Sequence, residues 1–256
     1  MKNGLLNVSL NRNLKFILPL SILLGWYCST TIGGLPETAL PKISSVGTTA
    51  VEMIRSGELY ADLGISLRRV LVGFFLASTI GITLGILMGI SKKISEFFQL
   101  TLTAMRQIPM VAWIPLIILW AGIDELSKIV VILFAATFPI IVNTINGIDS
   151  TSKSFLEVAE VYRMSKWDTF RKIYLPSALP ALFTGLRLSL GISWMAVVAS
   201  ELIASSSGIG FRLNDARSLM RSDVVIVCMF VIGSVGLLMD KIICIAAELA
   251  TPWKNN

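Results

Sequence analysis

Histidine is absent from this 256-residue chain, which removes the side chain that most often runs acid–base chemistry near neutral pH and binds most transition metals. Cysteine occurs three times, as Cys28, Cys228 and Cys244, each inside an apolar run and with no CxxC pair. Small buried apolar residues are therefore expected there, rather than a disulfide or a metal centre. Charge is scarce too: Asp, Glu, Lys and Arg make up 15% of the residues, against about a quarter in soluble domains. No G-x-x-x-x-G-K-[ST] phosphate cradle occurs. Neither a metal nor a cofactor site is expected.

What the chain has instead is apolar residues, 54% of the total, with a mean hydropathy of +0.77. This composition points to a polytopic membrane protein in which length counts helix crossings, at roughly 20 apolar residues each. Six runs qualify, near residues 14–33, 70–90, 97–121, 129–148, 178–204 and 224–247. The first lacks a small-x-small cleavage site, so a retained helix is expected rather than a signal peptide. Arg106, Pro109 and Pro115 interrupt the third, which predicts a broken or kinked helix. Backbone carbonyls freed by proline survive at membrane depth only against protein or a water-lined cavity. The stretch from Gln107 to Pro115 is thus a candidate pathway lining, with an ordinary proline kink as the alternative.

With the N-terminus in the cytoplasm, about thirteen basic residues fall on cytoplasmic loops and about eight on outer ones, the sense of the positive-inside rule. The first group includes Lys2, Arg12, Lys15 and Lys254 near the ends of the chain. The net charge of +6 then belongs to a lipid-facing loop surface, not to a nucleic-acid interface. Both termini are expected to be cytoplasmic in a multi-pass inner (plasma) membrane protein. In the second run Gly81, Gly85 and Gly89 recur every four residues, the spacing that lets membrane helices approach closely.

One polar, basic interruption stands out, SFLEVAEVYRMSKWDTFRKIYLPSALP from Ser154 to Pro180. Ser154 and Glu157 read as a capping box opening a helix with Phe155, Leu156, Ala159 and Tyr162 on its apolar face. Ser165 and Asp168 repeat the start signal for a second short helix, with Trp167, Phe170, Ile173 and Tyr174 as its apolar side and Pro176 as its stop. Taken alone, such a basic helix pair suits either a docking partner or the lipid headgroups.

The Glu157-Val158-Ala159 triplet, followed at a fixed gap by Ile173-Tyr174-Leu175-Pro176, resembles the EAA loop of permease subunits of ABC importers. Four further segments resemble the sulfonate/taurine/nitrate branch of that family: SLRRVLVGF from Ser66, IPMVAWIPLIILWAGIDELSKI from Ile108, LPSALPALFTGLRLSLG from Leu175 and ASELIASSSGIGF from Ala199. The closing Thr251-Pro252-Trp253 agrees. The blocks follow in order from about residue 40 to 253.

The resemblance implies an all-α type I ABC importer permease with about six transmembrane helices. Residues 1–66 would hold a tail, the first helix and an outer loop; residues 67–253 would hold the five-helix permease core, with the EAA loop at about 152–177. ATPase coupling is then expected at Leu156, Glu157, Ala159, Arg163, Ser165, Ile173, Leu175 and Pro176. The ATPase activity would reside in cytoplasmic ATP-binding subunits, so the chain itself is not expected to be an enzyme. An extracytoplasmic substrate-binding protein and a second permease copy are the other implied partners. The cargo would be a small anion, with an aliphatic sulfonate ahead of taurine, nitrate or another small organic nutrient. Two positions depart from the family pattern. Arg163 stands where a glycine commonly ends the first loop helix, and Gln107 stands where a proline often follows Arg106. Arg163 is expected to keep the left-handed conformation at a cost of about 1 kcal/mol.

Arg187 and Glu201 are charges inside an apolar run, a placement that usually faces a bundle interior or a water-filled cavity. Fourteen positions separate them, roughly 21 Å of helix, so each needs another partner. Together with Arg106, Pro109 and Pro115 they are candidate pathway or gate residues; snorkelling of Arg187 and a static ion pair at Glu201 are the structural alternatives. Arg68 and Arg69 are expected to be neutralised by Glu58 and Asp62. A membrane-embedded enzyme would need acid, base or nucleophile clusters that the inner runs lack. A secondary transporter or channel would work without an ATPase, and inverted repeats, which such a fold often carries, are not seen.

Overall fold

The computed structural model describes residues 2–252, with side chains from residue 14 onward except Lys15. Trp253 and Lys254, and the side chains of Lys2, Arg12 and Lys15, lie outside the described residues. Every regular element among the described residues is helical. Apolar segments of this length satisfy their backbone donors and acceptors internally only as helices, which is what a bilayer requires.

The elements are α1 (Lys2–Thr31), α2 (Ile43–Arg55), α3 (Glu58–Ile90), α4 (Lys92–Gln107), α5 (Met110–Ala121), α6 (Glu125–Asp149), α7 (Lys153–Val161), α8 (Lys166–Thr169), α9 (Leu175–Ile203), α10 (Ile209–Ser218) and α11 (Ser222–Ala250). α3, α6, α11 and the helical stretch Lys166–Ile203 are each long and apolar enough to cross a membrane. α4 and α5 pass the same test only together, bent by 101° at their junction. The first apolar run lies in α1, whose apolar part, Phe16–Thr31, is shorter than a full span. The third run is thus broken, as its prolines predict. The break falls at Ile108, because the residue before a proline is pushed out of the helical region; Ile108 has φ −80° and ψ 121°. Pro115 sits inside α5 without ending it.

The chain divides into two compact units. Residues Met1–Tyr60 with Arg212–Phe230 form one, and Ala61–Phe211 with Val231–Asn256 form the other. Within the first, Thr49 Oγ1 of α2 donates to Asp223 Oδ2 at 2.7 Å, and Arg212 pairs with Glu58 at 3.1 Å. Trp26 Nε1 donates to the Pro41 carbonyl at 2.9 Å.

The second unit is organised around α6, which packs against α3 on one side and α9 and α5 on others. Along α3, a β-carbon at Gly73, Gly81, Gly85 or Gly89 would come within 2.6–2.9 Å of Ile132, Ile140, Thr144 and Ile148 on α6. Only glycine permits that approach, and fully buried Ala77 fills the remaining turn of the same stripe. α6 meets α9 equally closely: a β-carbon at Gly147 would reach the Ala178 backbone at 2.9 Å, and one at Gly185 would reach Asn143 at 2.7 Å. Ile114, Ile117, Val131, Ala135 and Ala196 form the buried cluster where α5, α6 and α9 converge. Trp113, Phe134 and Phe138 extend it as an aromatic ladder with centroids 4.9 and 5.2 Å apart.

Candidate functional site

The polar interruption folds as two helices, though not with the caps read from its sequence. α7 begins at Lys153 after Ser152, and no side chain caps it. Ser154 is therefore not the N-cap; it lies inside the first turn, so the Ser154–Glu157 box does not form. At the other end, Met164 N–H donates to Ala159 O and Arg163 N–H to Glu160 O, each at 2.9 Å. Those two bonds are the Schellman pattern, and they require Arg163 to be left-handed, with φ 49°. Ser165 then caps α8: its hydroxyl accepts from Asp168 N–H at 3.1 Å and donates to Asp168 Oδ2 at 2.6 Å. Lys172 pairs with Asp168 at 3.1 Å.

Pro176 does not stop the second helix. α8 continues through a π-helical turn, Phe170–Tyr174, directly into α9. Leu175 N–H bonds to Phe170 O, five residues back. The wider turn opens the backbone just ahead of Pro176, which falls at the start of α9, where its missing donor and bulky ring are best tolerated. α8 is consequently continuous with α9, while α7 ends at its own Schellman turn before it.

The apolar face predicted for α7 is divided. Ala159 is buried and Leu156 half-buried, anchoring the helix. Phe155, Val158, Val161 and Tyr162 are exposed, and so is Trp167 of α8. Glu157 is exposed and has no ion pair among the described residues. Ile173, Leu175 and Pro176 are half-buried in the junction. The result is an apolar patch with a free carboxylate, held on capped helices.

Deeper in the same unit the α4–α5 break borders two cavities of about 350 and 370 Å³. The first is lined by Gln99, Thr103, Arg106, Asn146 and Asp149 among others, the second by Arg106, Pro109, Phe134, Asn143 and Ile192. Arg106 belongs to both. It is exposed and has no hydrogen bond or ion pair among the described residues. Pro109 shapes the second cavity directly; Pro115 lines neither.

At the opposite end of α6, Arg69 is 2% exposed and gathers two carboxylates. Its Nη1 donates to Glu201 Oε1 at 2.7 Å, its Nε to Glu125 Oε2 at 3.0 Å, and its Nη2 also meets Glu125. Nη1 and Nη2 further hold the Ser207 carbonyl and hydroxyl, each at 2.9 Å. Glu201 accepts in addition from Ser66 Oγ at 2.8 Å and from Gly210 N–H at 2.9 Å. The pairing predicted for Arg69 is thus wrong: Glu58 goes to Arg212, and Asp62 accepts from Gly208 N–H at 3.2 Å. Sequence spacing proposed neighbours on one helix, whereas the buried guanidinium reaches across to α6 and α9. Glycine is required in this corner. Gly208 has φ +103°, and a β-carbon there would lie 2.5 Å from the Glu201 carboxylate.

Arg187 does not meet Glu201. Its Nε and Nη2 donate to Asp240 Oδ1 and Oδ2 of α11 at 2.6 and 2.7 Å. Asp240, Glu125 and Ser66 were not among the residues singled out by sequence. For Asp240 the signal was available, since it is a carboxylate well inside the sixth apolar run.

Residues 81–249 match the family model described as the binding-protein-dependent transport system inner membrane component. The chain belongs to this family. The permease is 37% identical over 240 residues to the putative aliphatic sulfonates transport permease protein SsuC of Bacillus subtilis, covering 94% of this chain and 87% of that one. It is 38% identical over 187 residues to the nitrate import permease protein NrtB of Synechocystis, covering 73% and 68%. Among solved structures, an inward-facing form of the MetNI methionine ABC transporter matches with a TM-score of 0.61 at 17% identity, over 75% of this chain and 97% of that one. An amino acid ABC transporter matches with a TM-score of 0.60 at 15% identity, over 79% and 97%. The permease therefore has the type I ABC importer fold and is a multi-pass membrane protein, a transport subunit and not a catalyst. Membership implies ATP-binding and substrate-binding partners.

Proposed function

We propose that this permease carries a small oxyanion, an aliphatic sulfonate first among the candidates, across the inner membrane. The observation that carries the reading is Arg106: an exposed guanidinium with no ion pair among the described residues, on the lip of two cavities at a proline break, with Asp149 in the lining of the first. An unpaired cation beside a polar cavity attracts anions and repels cations. Relatives named for sulfonates and for nitrate both handle oxyanions, which supports the class more firmly than the member.

In this reading the α7–α8 loop lies in the cytoplasm with both termini. Residues 67–253 act as the core, and Arg106, Pro109, Arg187 and Glu201 border or control the path; Pro115 only shapes α5. Leu156 and Ala159 anchor the coupling helix, while Glu157 and its exposed apolar neighbours meet a separate ATPase. Arg163, Ser165, Ile173, Leu175 and Pro176 keep that contact rigid with α9, so a push on the loop moves a span. A binding protein delivers cargo to the other face, and a second copy of the chain completes the path. The deciding experiment is uptake of labelled butanesulfonate, taurine and nitrate by vesicles carrying the reconstituted complex, with and without ATP. Butanesulfonate uptake that needs ATP and falls at least about tenfold in Arg106→Gln is the expected result. Uptake of taurine or nitrate alone would move the assignment within the class. Uptake without an ATPase would make the protein a channel or secondary transporter.

A further inference from the structure

Arg187 stands twelve residues into α9 and Asp240 eighteen into α11, about 18 and 27 Å from the starts of those helices, so the pair lies well inside both spans. Their side chains are nevertheless 52% and 46% exposed in the single chain. Exposed charges at such depth are costly against lipid and belong on a face turned to protein or water. The geometry is side-on and bidentate, so the carboxylate covers the edge of the guanidinium that two oxygens of a sulfonate or nitrate would also fit. Nη1 is left without a partner among the described residues. The surroundings are loose. A void of about 20 Å³, room for about one water, lies among Arg187, Gly191, Trp194, Gly236 and Asp240. A β-carbon at Gly191, one turn beyond Arg187, would meet nothing within 4 Å. Thr184, Leu188, Gly191 and Met195 form an exposed strip along this side of α9, and Ile192 of the same helix lines the Arg106 cavity.

We propose that the Arg187–Asp240 pair is an anion-exchange point, at which a small oxyanion takes the Arg187 fork in place of the Asp240 carboxylate. The proposal rests on the anion-permease reading and assigns Asp240 a part in it. A free guanidinium would retain a passing anion; a built-in carboxylate competitor keeps binding weak enough for release.

Cys244, one turn after Asp240 and within electrostatic reach of Arg187, is a native reporter. The test uses the full complex with exposed Cys28 changed to Ser; Cys228 is buried. Cys244 is labelled with an anionic sulfonatoethyl or a cationic trimethylammonioethyl methanethiosulfonate, and the ratio of the two rates is taken. Asp240→Asn should raise the anionic-to-cationic ratio roughly tenfold, and Arg187→Gln should lower it by a similar factor. Methanesulfonate should slow anionic labelling in Asp240→Asn, and the apolar pair Arg187→Met with Asp240→Leu should assemble but lose uptake. Labelling indifferent to methanesulfonate in both wild type and Asp240→Asn would overturn the proposal. So would wild-type uptake by the apolar double variant, because the pair would then be a structural tie only. ATP-dependent sulfonate uptake with indifferent labelling removes the exchange point and leaves the permease reading intact. Protection of Cys244 without any such uptake does the reverse.

Discussion

A β-carbon in the left-handed region crowds the following carbonyl, and Arg163 accepts that crowding to close the Schellman turn of α7. Replacing it with glycine keeps both hydrogen bonds and removes the strain. Arg163→Gly should therefore stabilise the permease by about 0.5–1 kcal/mol, read as a small rise in thermal midpoint in detergent, without loss of transport. A fall in both would mean that the side chain has a contact of its own to make. Glu201 is the contrary case. It is 1% exposed and is held by Arg69, Ser66 and Gly210, so removing it leaves a buried guanidinium half-compensated by Glu125. Glu201→Ala should cost about 3 kcal/mol and loosen the 204–210 segment, seen as faster proteolysis there. Gly208→Ala, which forces a β-carbon into the same carboxylate at an unfavourable φ, should show the same cleavage.

Between elements, the contact of α3 with α6 has glycines on one helix and β-branched residues on the other. Hydrophobicity does not draw helices together in lipid, so close packing has to. Gly81→Val and Gly85→Val would place new atoms 2.9 and 2.7 Å from Ile140 and Thr144 or nearer. Each should destabilise by about 1–3 kcal/mol, with the double variant giving a lower yield of assembled complex on size-exclusion chromatography. Gly191→Ala is the control, because its β-carbon would enter open space and leave the fold unchanged.

For the whole molecule, the continuity of α8 with α9 matters most. A span that runs unbroken from the loop into the bundle transmits a displacement that a flexible joint would absorb. Glu157 is exposed and unpaired, so reversing its charge should not disturb folding. Glu157→Lys should keep the thermal midpoint of the isolated permease and lose co-purification with its ATPase. Retention of the ATPase would place the coupling contact elsewhere on the exposed patch, at Phe155, Val161 or Trp167.

Much of this protein is local in origin and was legible without coordinates. Long apolar runs must be helices in a bilayer, Pro109 forces its predecessor out of the helix, and Ser165 with Asp168 makes a cap across three residues. The glycine stripe on α3 announced a close helix neighbour, though not that the neighbour is α6. Helix ends are less legible. Ser154 and Pro176 carry sound local signals, but α7 already begins at Lys153, and a π-helical turn carries α8 past Pro176 into α9. The ion pairs lay beyond sequence altogether. Arg69 finds Glu125 and Glu201 at separations of 56 and 132 residues, and Arg187 finds Asp240 at 53. Sequence alone determined that the long apolar segments are helices and where the third of them breaks; only tertiary packing decided which charges meet. Hydropathy and propensity act within a few turns of one chain segment, whereas a buried charge takes whatever partner the fold brings within about 3 Å.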